Sequence, residues 1–81
     1  MVRFSLVLID DEKSIRDGIR LALAREYDVR TFAAAEEALD AIGIAPPDLV
    51  LLDIGLPGMN GIEALARIKE LYPEMLVIMI T

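Results

Sequence analysis

Four short apolar runs alternate with three amphipathic segments along the whole chain, and this alternation narrows the fold most. The runs are Phe4–Ile9 (FSLVLI), Tyr27–Phe32 (YDVRTF), Asp48–Leu52 (DLVLL) and Met75–Ile80 (MLVIMI). Between them lie Lys13–Glu26, Ala35–Ile42 and Asn60–Tyr72. Each of these three carries apolar residues at helical spacing: Ile15, Ile19, Ala22 and Leu23; then Ala35, Ala38, Leu39 and Ile42; then Ile62, Leu65 and Ile68. Gly43 and Pro46-Pro47 break the second helix, Asn60 and Glu63 have capping-box spacing, and Pro73 stops the third. Strands alternating with helices predict a parallel sheet covered on both faces.

The character of each strand predicts its place. Strands buried on both faces read as unbroken apolar runs, and the first, third and fourth do so. The second alternates apolar with polar residues, as an edge strand does. Right-handed crossovers then give the order 2-1-3-4. In that order the winding reverses between the first and third strands, and open α/β sheets bind ligands at such a switch point, beyond the carboxyl ends of the strands. The wholly apolar fourth run would form the other edge, where a bare apolar strand invites self-association. A further strand with its helices is therefore expected after Thr81, and without it pairing of chains through the fourth strand is expected.

Composition removes several classes of chemistry. With 81 residues there is room for one small domain, and 56% hydrophobic residues exclude a disordered chain. The longest apolar run, Met75–Ile80, is far short of the roughly 18 residues a membrane span needs. A cytoplasmic location with no membrane association is expected. Cysteine and histidine are both absent, so thiolate chemistry, imidazole bases and Cys/His metal sites are ruled out. A net charge of −6 without a basic stripe argues against direct nucleic-acid binding.

What remains is carboxylate chemistry. Asp10-Asp11-Glu12 follows the first strand and Asp53 follows the third, the two strands that flank the switch point. Adjacent strands lie about 4.8 Å apart, so Asp10 or Asp11 and Asp53 should share a pocket. Carboxylates that close repel unless one takes a proton or a cation binds. An oxygen-only donor set selects a hard cation, Mg²⁺ before Zn²⁺, and Mg²⁺ commonly sits between carboxylates and phosphoryl oxygens. Asp10-Asp11-Glu12 also opens a helix, where acids cap amides, but that accounts for one of the three. Gly55, Pro57, Gly58 and Gly61 make a tight loop after Asp53, suited both to turns and to close backbone approach. Lys13 and Lys69 read as solvated, the arginines as scattered and the methionines as packing.

Taken together, VLIDDE, LVLLDIGLPGMNG and VIMIT resemble the receiver domain of two-component response regulators, over all 81 residues. The resemblance implies a flavodoxin-like (CheY-like) doubly wound parallel sheet, here truncated after the fourth strand, so that residues 1–81 form a receiver domain incomplete at its C-terminus. It implies that Asp53 accepts a phosphoryl group from a phosphohistidine of a sensor histidine kinase. Asp11 would hold Mg²⁺ directly and Asp10 through water, with Asp53 and the backbone carbonyl of Gly55 as further ligands. Thr81 would hydrogen-bond the phosphoryl group and couple it to the surface beyond.

The family also has a lysine at the end of a fifth strand, and an output surface built from the fourth helix, fifth strand and fifth helix. Neither has a counterpart here. The implied function is a phosphorelay switch driving an output such as transcription regulation from a C-terminal domain, not an enzyme acting on an outside substrate. The alternative is a receiver-like interaction module that is not phosphorylated. An aspartate-nucleophile phosphohydrolase would want a second acid two residues after the nucleophile, where Gly55 stands.

Overall fold

The computed structural model describes residues 3–80. Its elements are β1 (Ser5–Ile9), α1 (Lys13–Leu23), β2 (Asp28–Phe32), α2 (Ala35–Ile44), β3 (Leu49–Asp53), α3 (Gly61–Leu71) and β4 (Leu76–Ile80). All pairings are parallel and the order is β2-β1-β3-β4, as the strand patterns predict. No helix of the described residues is long and apolar enough to cross a membrane.

Register decides which side chains share a face. Val7 stands beside Val50 and Ile9 beside Leu52, while Val50 and Leu52 stand beside Val77 and Met79. This row packs against Ala35, Ala38 and Ile42 of α2 and Ala64 and Ile68 of α3, forming the main core. Phe32 of β2 packs on the same cluster. Its neighbour Thr31 therefore points to the opposite face, where its Oγ1 accepts a hydrogen bond of 2.6 Å from Arg20 of α1. So α2 and α3 cover one face and α1 covers the other.

That division corrects the expectation that the third strand is buried on both faces, while the fourth is the bare edge expected of it. β1 is buried on both: Leu6 and Leu8 are as buried as Val7 and Ile9. In β3, however, Val50 and Leu52 are buried while Leu49 and Leu51 are only half-buried. In β4, Leu76 is 67% exposed and Ile78 51%. One helix of 11 residues cannot shield four strands, and α1 itself contributes no fully buried residue. Of its predicted apolar face, Ile19 and Leu23 are half-buried, whereas Ile15 and Ala22 are exposed.

Helix ends follow local chemistry. α2 runs through Gly43 to Ile44, since a helical glycine costs only about 1 kcal/mol, and stops before Pro46. α1 ends at Leu23, three residues before the expected Glu26, where Glu26 and Tyr27 both donate their amides to the Leu23 carbonyl. The Asn60 side chain caps α3 by accepting the Glu63 amide at 3.0 Å. The buried positions of α3 are Gly61, Ala64 and Ile68, and Ile62, expected inward, is 59% exposed.

Candidate functional site

β1 and β3 are neighbours, and Ile9 stands beside Leu52. The next residues, Asp10 and Asp53, are therefore level at the carboxyl end of the sheet. Backbone bonds extend that end by one residue on each side: the Asp10 amide donates to Phe32 O at 3.1 Å, and the Ile54 amide to Ile80 O at 3.0 Å. Asp53 itself is the last residue of β3 rather than the first beyond it.

Asp10, Asp11 and Asp53 come together, with one carboxylate oxygen from each lying within 4.8 Å of the others. Asp10 is buried, Asp53 half-buried and Asp11 exposed, so the cluster opens to solvent on one side. Carboxylates gathered this closely repel unless one takes a proton or a cation binds. Helix capping does not explain the acids. The N-cap of α1 is Glu12, whose side chain makes no capping bond, and no acid stands in the first turn. Asp10 Oδ1 instead accepts the Glu12 amide at 2.9 Å, shaping the turn between β1 and α1.

The loop after β3 is built around Asp53. Asp53 Oδ1 accepts the Gly55 amide at 2.9 Å. Gly58 has a positive φ of 69°, which favours glycine. At Gly61 an added Cβ would lie 2.3 Å from the Asp53 carbonyl oxygen and 2.6 Å from Ile54 Cα. Only glycine lets the start of α3 press against the backbone that carries Asp53.

Among the predicted site residues, Asp10, Asp11 and Asp53 are thus brought together, Gly55 bonds Asp53 through its amide, and Thr81 lies outside the described residues. The donor set suits a hard divalent cation. All the donors are oxygens, as Mg²⁺ prefers. Lys13 is exposed and pairs with Asp17 at 2.7 Å rather than with the three acids. Lys69 is not simply solvated: its Nζ donates to Met75 O at 2.7 Å and ties α3 to the start of β4.

Sequence reading overlooked Arg16, whose guanidinium donates to Asp10 O at 2.8 Å. An open pocket of about 640 Å³ lies at the opposite end of the sheet, lined by Pro47, Asp48, Tyr72, Pro73 and Met75 among others, and takes no part in the acid cluster.

A family model described as the response regulator receiver domain matches residues 6–81. The chain belongs to this family. Solved structures agree with that assignment to receiver domains. The N-terminal domain of a response regulator receiver protein from Methanoculleus marisnigri is 38% identical, with a TM-score of 0.91 over 96% of this chain and 66% of that one. NtrX from Brucella abortus is 37% identical with a TM-score of 0.92, over 99% of this chain but 19% of its own. The chemotaxis protein CheY4 from Vibrio cholerae is 27% identical with a TM-score of 0.91, covering 96% and 68%. The fold is accordingly the CheY-like, flavodoxin-like one, and this receiver chain spans less than two thirds of the length of the first two of these relatives.

Proposed function

We propose that this receiver domain is a phosphoacceptor switch in which Asp53 takes a phosphoryl group from a phosphohistidine of a sensor histidine kinase. The observation that carries the reading is the gathering of Asp10, Asp11 and Asp53 at one end of the sheet. The Gly55 amide holds Asp53 Oδ1, which leaves Oδ2 as the attacking oxygen. Oδ2 attacks, the new O–P bond forms as the P–N bond breaks, and the imidazole leaves. The product is an aspartyl phosphate, covalent chemistry by a carboxylate. Asp10, Asp11 and Asp53, with the Gly55 carbonyl, are the groups that would hold Mg²⁺. A divalent cation held by these groups would supply neutralisation of negative charge, and the residues' own part is positioning and electrostatics.

The same reading makes the chain a signalling component of the cytoplasm rather than an enzyme with an outside substrate. Its donor is the kinase, and the phosphorylated state is read by an output domain. A BeF3-activated DrrB receiver domain, 31% identical with a TM-score of 0.86, supports it, because beryllium trifluoride imitates a phosphoryl group in shape and charge.

The test is intact-mass measurement after incubation with Mg²⁺ and acetyl phosphate. The protein should gain the mass of one phosphoryl group, only with Mg²⁺ present, and Asp53→Asn should gain none. No gain in the parent, or a gain that persists in Asp53→Asn, would overturn the proposal and favour an interaction module that is not phosphorylated.

A further inference from the structure

We infer that Arg16 is a positioning residue for the divalent-cation site, an inference that rests on the reading of Asp10, Asp11 and Asp53 given above. The argument starts from how Asp10 is held. Its amide donates to Phe32 O at 3.1 Å, its Oδ1 accepts the Glu12 amide at 2.9 Å, and its carbonyl accepts from Arg16 at 2.8 Å. With Asp10 only 5% exposed, these bonds fix both its backbone and its side-chain rotation. The Arg16 bond is the one that reaches across from α1, and its own amide bonds to Glu12 O at 3.1 Å, so the turn from Asp10 to Arg16 is closed at two points.

The choice of acceptor matters. An arginine near carboxylates ordinarily pairs with one of them, in strong charge-assisted bonds. Here the guanidinium goes to a backbone carbonyl. Among the described residues the ion pairs are Arg3–Asp28 and Lys13–Asp17, and neither touches the acid cluster. Arg16 thus fastens the loop that carries two of the three acids while leaving their carboxylates to a cation. Arginine suits this task because its fork is rigid and always charged, whereas lysine is a flexible point donor. Groups that orient metal ligands typically change affinity by about 10- to 100-fold when removed.

Calorimetric titration with Mg²⁺ alone tests this, alongside circular dichroism and melting without the ion. Arg16→Gln should bind Mg²⁺ about tenfold more weakly than the parent. Arg20→Gln is the control: it removes the same charge from the same helix, but its partner is Thr31 and not an acid, so its affinity should match the parent. The comparison is run at about 1 M salt, where a Debye length of about 3 Å screens the simple loss of charge. Should Arg16→Gln fail to fold, Arg16→Lys decides, and it too should bind more weakly than the parent. Parent-like affinity in a folded Arg16 variant, or an equal loss in Arg20→Gln, overturns the inference while the Mg²⁺ site stands. A parent protein that takes up no Mg²⁺ overturns both.

Discussion

Asp48 and Asp53 stand at opposite ends of β3, Asp48 just before it and Asp53 as its last residue. Asp48 faces hydrogen-bond donors. Its Oδ2 accepts the Ser5 amide at 2.7 Å, and its own amide donates to Ser5 Oγ at 3.2 Å, which ties the amino ends of β1 and β3 together. Among the described residues, Asp53 accepts from the Gly55 amide and stands beside two other carboxylates. The same side chain is a structural tie at one end and one of three gathered acids at the other. Its surroundings decide its role, and the strand it flanks does not.

The largest test of that contrast concerns what supports Asp53 from below. Gly61→Ala would force a Cβ to within 2.3 Å of the Asp53 carbonyl, so α3 must move off β3. Overpacking of this kind costs about 3 kcal/mol, and chemical denaturation should show it.

Exchanging the two acids for neutral residues should give effects of opposite sign. Asp48→Ala leaves the Ser5 amide without its acceptor and should lower stability by about 1 kcal/mol, with Mg²⁺ affinity unchanged. Asp53→Asn removes one of three mutually repelling charges and should raise the melting temperature in divalent-free buffer. It should also abolish any further rise on adding Mg²⁺. Destabilisation by both substitutions alike would erase the contrast.

The smallest effect belongs to a carboxylate with an ordinary partner. The hydrogen bond from Lys13 holds the Asp17 carboxyl below its usual range. A lowered folded-state pKa means that this contribution is present above the unfolded value and is lost as pH falls through the lower folded one. Acid titration of Asp17→Asn against the parent should show a slight divergence confined to that acidic window. The two should run parallel near neutrality.

Much of this arrangement was legible in the residues. The strand order followed from the polar alternation of Asp28–Phe32 against the apolar runs elsewhere, because edge and central positions make different demands on side chains. The acid cluster followed from Asp10, Asp11 and Asp53 standing at the ends of neighbouring strands. Other features were hidden because they join residues distant in sequence. Ile62 matched the helical stripe, yet Gly61 took the inward position, since α3 starts hard against the Asp53 backbone. Arg16 looked like one arginine among several until its reach to Asp10 was seen. Ser5 and Asp48, 43 residues apart, gave no local sign of pairing.

By itself the sequence determined the alternation of elements, the parallel sheet and the acids at its switch point, because periodicity and strand-end placement are local properties of the chain. Only the tertiary structure decided which helices share a face, which apolar residues of β3 and β4 stay in water, and which donors hold each aspartate. Those outcomes depend on how much surface one helix can cover and on distances between segments that the order of residues does not encode.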